Sequence, residues 1–190
     1  MKLLSLIFII AFAIIAQSSE FNVDASHSHV GFKVRYMMLT SVQGQFNEFK
    51  GRVIFAENGD VDMITGNIVV SSIDTNNKKR DAHLKSDDFF NAKVYPEIKF
   101  VSDKIHRNDI GFTAIGQLEI HGITNNVSIP FTLTNSLVDI YGNERIGLTG
   151  GLRINRKEEG SMYSRKIDNG GLVVDDYIDI ELNIQLIEDT

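Results

Sequence analysis

The chain has 190 residues, 43% of them hydrophobic, with 15 Gly, 2 Pro, no Cys and a formal charge of −6. That composition supports one domain with a substantial core and excludes a disordered or repetitive chain. The acidic balance removes the electrostatic case for a nucleic-acid partner, and the missing cysteines exclude disulfide stapling.

Met1-Lys2 are followed by an uncharged apolar run from Leu3 to Ala16, and then by Gln17-Ser18-Ser19. One basic residue, a short apolar stretch and small residues beyond it predict a secretory leader over residues 1–18, with cleavage after Ala16 or Ser18, the latter preferred because it leaves Ala16 at the −3 position. The run is shorter than the ~20 residues that span a bilayer, so a permanent anchor is disfavoured. The expectation is a periplasmic or secreted mature domain, residues 19–190. It is not a lipoprotein, because there is no Cys to carry the lipid.

Along that domain the dominant hydrophobic period is two. In the stretch Ala25–Tyr36, Val30, Phe32, Val34 and Tyr36 alternate with Gly31, Lys33 and Arg35. The pattern predicts a strand whose even-numbered residues face inward. His27 and His29 have metal-ligand spacing but share the outward phase with Lys33 and Arg35, where positive charge opposes a cation. No metal site is expected. Next, Val42, Gly44 and Phe46 share one phase and Phe49, Gly51, Val53 and Phe55 the other. A one-residue slip near Asn47-Glu48 predicts a bulge or sharp bend there. A weaker strand fits residues 62–73.

Residues 74–96 break the pattern. They are charged, and Thr75 or Asn76 can cap one helical turn and Ser86 a second. The segment is read as one or two short helices crossing a barrel end, with Phe89 and Phe90 pointing in. Strands resume at 97–103 and 110–120, the latter with Phe112, Ala114, Gly116, Leu118 and Ile120 in one phase. Val127, Ile129, Phe131 and Leu133 form another set, interrupted by Pro130, which marks an edge or bulge. Ile146, Leu148, Gly150, Leu152 and Ile154 follow, and Ile178, Ile180, Leu182, Ile184 and Leu186 complete the series. These make an all-β fold of about eight antiparallel strands, which close naturally into a barrel; a two-sheet sandwich is the alternative. Periodicity leaves open whether the interior is hollow or filled.

The residue pattern carries no recognisable catalysis. There is no Cys nucleophile, no Gly-x-Ser-x-Gly elbow, no phosphate loop and no dinucleotide fingerprint. The acidic pairs Asp87-Asp88, Glu158-Glu159 and Asp175-Asp176 are adjacent rather than spaced across a cleft. The chain is read as not an enzyme, with no cofactor.

Four blocks in order, "DASHSHVGFKVRY", "DTNNKKRDAHLKSDDFFNAKVYPEIKF", "GQLEIHGITNNVSIPF" and "INRKEEG", resemble the YceI-like family of exported polyisoprenoid-binding proteins. The resemblance runs from about Phe21 to Leu186. It implies a lipocalin-like barrel with a long apolar cavity that holds an isoprenoid or other long-chain lipid. On that reading the lining falls to Val30, Phe32, Val34 and Tyr36 of the first strand, and to Phe46 and Phe49 of the second. Phe89 and Phe90 join it from the crossing segment, with Phe100, Phe112, Leu118, Phe131 and Leu148 from later strands. Arg80, Asp81 and His83 would meet a lipid head group if the crossing segment lies over the mouth. The stronger reading has Arg80 and Asp81 hold that segment to the barrel. Two departures stand out: family members commonly have His where this chain has Tyr36, and a hydrophobic residue where it has Glu159 before Gly160. The expected partner is a long-chain lipid, with no nucleic acid and with room for a transient membrane or homodimer contact. The alternative function is an exported hydrolase or isomerase acting on a lipid at the mouth.

Overall fold

The computed structural model describes residues 18–161, 163 and 173–189. The proposed leader, apart from Ser18, lies outside the described residues. Among the described residues, no helix is long and apolar enough to cross a membrane.

In chain order the strands are β1 (Ser19–Val23), β2 (His29–Tyr36), β3 (Thr40–Phe46), β4 (Phe49–Phe55), β5 (Val61–Val69) and β6 (Ile73–Asp74). The helix α1 (Lys78–Leu84) follows, then β7 (Glu97–Asn108), β8 (Gly111–Ile120), β9 (Ile123–Leu133), β10 (Leu137–Val138), β11 (Glu144–Asn155) and β12 (Val174–Glu188). Neighbouring strands are antiparallel throughout, and β11 pairs with β12, which closes the sheet. The result is an eight-stranded antiparallel barrel in which β1 with β2, and β3 with β4, each act as one broken stave.

The break between β3 and β4 falls at Asn47-Glu48, where the slip in phase required an absorbed residue. There Asn47 N–H donates to Ser72 O (3.2 Å), and Glu48 O accepts from Val69 N–H (2.9 Å). The bend therefore keeps Phe46 on the inner face and lets Phe49 rejoin it. The break between β1 and β2 was not anticipated: Ala25–His27 form a short 3₁₀ turn capped by the Asp24 carboxylate, which accepts from Ser26 N–H. His27 thus sits on a turn rather than a strand, with its Nδ1 against Asp24 Oδ2 (2.8 Å), and both His27 and His29 are exposed.

Pro130 also earns its reading. Only Phe131, Thr132 and Leu133 of β9 pair with β11, so Pro130 stands where that ladder ends and no N–H is needed. In the crossing segment the helix cap is Asn77, whose side chain accepts from Lys79 and Arg80 N–H. It is not Thr75 or Asn76, because Thr75 is buried and otherwise engaged. Ser86 closes a turn by accepting from Phe89 and Asn91 N–H, without starting a second α-helix.

Two apolar clusters divide the interior. Phe21, Val53, Phe55, Val61, Phe112, Phe131, Ile146 and Leu186 pack tightly at the end away from the crossing segment. Phe112 and Phe131 stack there at 5.3 Å between ring centres. Val30, Phe46, Val70, Ile73, Ile98, Leu118, Ile120 and Ile154 form the second cluster beneath the crossing segment, with many half-buried neighbours. One end is plugged and the other is looser.

Candidate functional site

Half-burial in the middle of a barrel has a simple cause: the inward side chains face space rather than one another. A cavity of about 240 Å³ runs through the interior. That is close to the ~300 Å³ at which ligand pockets begin. Its wall is almost wholly hydrocarbon, from Val23, Leu148 and Leu186 near the plug to Leu84, Phe89 and Phe90 under the crossing segment. A dry apolar space of this kind excludes water and favours an apolar occupant.

Of the residues expected to line it, Val30, Phe32, Val34, Phe46, Phe49, Phe89, Phe90, Phe100, Leu118, Phe131 and Leu148 do so. Two others do not. Phe112 has the inward phase but lies in the plug, stacked on Phe131 with its far face covered by Arg107, 5.1 Å from the ring centre. Tyr36 ends β2 at the rim and is 40% exposed, because the wall stops where the strand turns. Phase reports the face of a strand but not the depth. The branched residues of β12, Ile178, Ile180, Leu182 and Ile184, line the cavity as well.

Arg80, Asp81 and His83 lie outside the lining. Arg80 donates from Nε to Thr75 Oγ1 and from Nη2 to Thr75 O, both at 2.8 Å. Asp81 Oδ1 accepts from Thr75 N–H (2.9 Å) and from Thr75 Oγ1 (2.5 Å). Both charged groups are thereby spent on one buried threonine, which ties α1 to the barrel next to β6. His83 Nε2 is 2.7 Å from Asp88 Oδ2, and its ring meets Phe89 and Tyr163 edge-on. Phe89 stacks on Tyr163 at 4.7 Å, joining the crossing segment to the chain after β11.

The polar groups that do reach the cavity went unforeseen. At the crossing-segment end they are His121, Arg156, Glu159 and Ser161, while Lys50, Arg52, Thr65 and Asn67 border the cavity from β4 and β5. Arg156 is buried and fully engaged: it donates to Asp175 O (2.8 Å), Tyr163 O (2.6 Å), Val174 O (3.3 Å), Ser161 Oγ (3.2 Å) and Asp176 Oδ1 (3.1 Å). Its work is to pin the turn after β11 to the start of β12. Glu159 is 6% exposed, and among the described residues neither its Oε2 nor His121 Nε2 has a hydrogen-bond partner. Burial pushes the Glu159 carboxyl above its usual range, with Asn125 opposing the shift and the Glu158 charge adding to it. In the sequence Glu158 and Glu159 look alike, yet Glu158 is exposed and Glu159 buried. The available signal was the carboxylate in place of a hydrophobic residue before Gly160. Among the described residues, no three His, Asp or Glu side chains are grouped to hold a metal ion.

Comparison with known proteins places this geometry. The family model described as "YceI-like domain" matches residues 21–186. A UPF0312 protein of Yersinia enterocolitica is 31% identical over 146 residues, covering 75% of this chain and 76% of its own. A UPF0312 protein of Staphylococcus epidermidis is 28% identical over 173 residues, covering 88% of this chain and 96% of its own. Among solved structures, the Campylobacter jejuni YCEI protein superposes with a TM-score of 0.71 at 25% identity, covering 88% of this chain and 96% of that one. BcnA of Burkholderia cenocepacia shares the fold at a TM-score of 0.75 and 24% identity, covering 86% and 98%. So does a polyisoprenoid binding domain from Saccharophagus degradans, at 0.61 and 13% identity, covering 89% and 98%.

Proposed function

The chain belongs to the YceI-like domain family, and on that premise we propose that it is an exported, non-enzymatic carrier of an isoprenoid-like long-chain lipid. It would sequester or ferry that lipid through an aqueous compartment. The observation that carries the reading is the interior cavity, walled by Val, Ile, Leu and Phe from every stave of the barrel. That the Saccharophagus degradans neighbour is a polyisoprenoid binding domain supports the same class of occupant. β8 alone, at 10 residues, spans about 33 Å at ~3.3 Å per residue, so several isoprene units fit along a stave. Each buried CH₂ contributes roughly 0.8 kcal/mol before ordering costs, so a chain of that length is held without any charged anchor. The leader over residues 1–18 supports export.

The test is native mass spectrometry of the protein purified from its own host, with organic extraction of whatever is bound. A co-purified long-chain lipid is the expected result. Apoprotein that also fails to take up long-chain ligands on addition overturns the reading. An enzymatic role at the mouth is less well supported, since Arg80 and His83 are held by Thr75 and Asp88.

A further inference from the structure

The cavity has a polar end, and its two orphan atoms belong to different strand connections. His121 occupies the left-handed position (φ 53°) of the turn between β8 and β9. Its ring lies against Tyr95, with centres 4.5 Å apart. Glu159 lies in the turn after β11, one residue before Gly160 (φ 83°). A Cβ at Gly160 would stand 2.8 Å from His121 Nδ1, so the glycine lets the imidazole lie directly on the neighbouring turn. Asn125 Nδ2 donating to Glu158 O (3.4 Å) ties β9 to the same turn. The tie and the packing hold the turn that carries His121 against the turn that carries Glu159, and both residues line the cavity.

Buried polar atoms in folded proteins nearly always have partners, and those without one point to an unseen occupant or a functional role. Among the described residues, Glu159 Oε2 and His121 Nε2 lack partners at the end of the cavity where a lipid's polar terminus would come to rest. We propose that His121 and Glu159 form a head-group site that takes an uncharged oxygen, a hydroxyl or a carbonyl, at the end of an apolar chain. This rests on the carrier reading above.

The choice of an uncharged head follows from the neighbours. Arg156 has its donors committed to three carbonyls, Ser161 and Asp176, and Lys157 Nζ is paired with Asp176 Oδ2 at 2.7 Å. The other cations of the lining, Lys50 and Arg52, are exposed residues of β4, and Arg52 Nη1 is paired with Glu20 Oε1 at 3.0 Å. A phosphate would meet a buried carboxyl and no compensating charge, which is unfavourable in an apolar site. A hydroxyl matches the pair, donating to one group and accepting from the other. A carbonyl is matched when the groups facing it are protonated.

The experiment measures dissociation constants by calorimetry for four probes with the same saturated isoprenoid chain: phytanol, phytanal, phytanyl monophosphate and the hydrocarbon phytane. The expected result is that the alcohol, the aldehyde or both bind about tenfold tighter than the hydrocarbon, the gain of roughly one hydrogen bond. The monophosphate should bind no tighter than the hydrocarbon. Which of the first two is preferred distinguishes a polyprenol-like from a quinone-like head. Glu159→Leu, and His121→Asn, which tolerates the left-handed backbone, should each erase the preference, read as the ratio of each probe's affinity to that of phytane in the same variant. Circular dichroism confirms that each variant is folded. Tightest binding by the monophosphate, or a preference that survives both substitutions, overturns the proposal alone. If phytane and every other probe fail to bind, the carrier reading falls and the head-group site with it.

Discussion

The ring of Phe32 stands directly over Gly44, its partner across the β2–β3 ladder. A Cβ at residue 44 would overlap the tip of that ring and lie 2.7 Å from Thr75 Cγ2. The glycine is therefore the floor on which a cavity-lining aromatic rests. Gly44→Val should displace Phe32 and lower stability by about 1–3 kcal/mol, the usual cost of overpacking a core. Thermal unfolding measures this, and an unchanged melting temperature would contradict the contact.

Thr75 is the clamp of the crossing segment. Thr75→Val removes the hydroxyl shared by Arg80 and Asp81 and leaves both charged groups short of a partner. A loss of about 1–3 kcal/mol is expected in urea unfolding. Arg80→Ala should lower stability without weakening lipid uptake, because Arg80 does not touch the cavity. Uptake lost while stability holds would restore Arg80 to a head-group role.

Within the cavity, Ile180→Asp introduces a charge into a hydrocarbon wall without a partner. Co-purified lipid should disappear, with uptake of added long-chain probe reduced at least tenfold, since an unpaired carboxylate there costs several kcal/mol, on the order of a full hydrogen-bonded lipid contact or more. Ile180→Ala keeps the wall apolar and should retain uptake. That pair separates polarity from shape.

Acid response should have two limbs of opposite sign. Hydrogen bonds from Ser26 and Arg145 hold the Asp24 carboxyl well below the usual range, and Arg145 does the same for Asp139. Arg145 bridges them, Nη1 to Asp24 Oδ2 and Nε to Asp139 Oδ2, each at 2.6 Å. Their stabilisation is complete above the unfolded value of ~3.9 and is lost as pH falls through the lower folded values. Glu159 runs the other way. Its carboxyl is raised, so stability declines as pH climbs from ~4.3 through its folded value. Arg145→Met should flatten the acid limb and Glu159→Gln the second, as read by chemical unfolding at a series of pH values.

At the tip of the β2–β3 hairpin, Met37 and Met38 both have positive φ (50° and 62°), and Leu39 N–H donates to Tyr36 O at 3.1 Å. Two left-handed residues in a two-residue turn ordinarily call for Asn-Gly. Replacing Met37-Met38 by Asn-Gly should raise stability by about 1 kcal/mol, relieving a conformation that L side chains rarely adopt. A lower melting temperature would show that the methionine side chains stabilise the tip.

Much of the barrel was legible because a strand's period of two is a local property. The phase of Val30, Phe32 and Val34 identified the inner face, and the slip at Asn47-Glu48 identified the bend. Depth and partnership are not local. Phe112 and Phe100 read alike as inward aromatics, but Phe112 plugs one end while Phe100 lines the space. Arg80 and Asp81 advertised chemistry, yet what they serve is Thr75, five and six residues earlier and hidden from water. Glu158 and Glu159 differ only in the turn that the chain makes after β11, and it buries one of them.

The last strand reaches further than its neighbours. Over its 15 residues β12 pairs along one side with β11, and along the other first with β2 and then with β1, so that Phe21 stands opposite Glu188. The chamber consequently has no complete wall until β12 is in place. Contacts between chain ends are slow to form, because the entropy of closing so long a loop must be met before any pairing rewards it. Until that stave arrives, the inner faces of the other seven are open to solvent, and the barrel is a trough rather than a vessel.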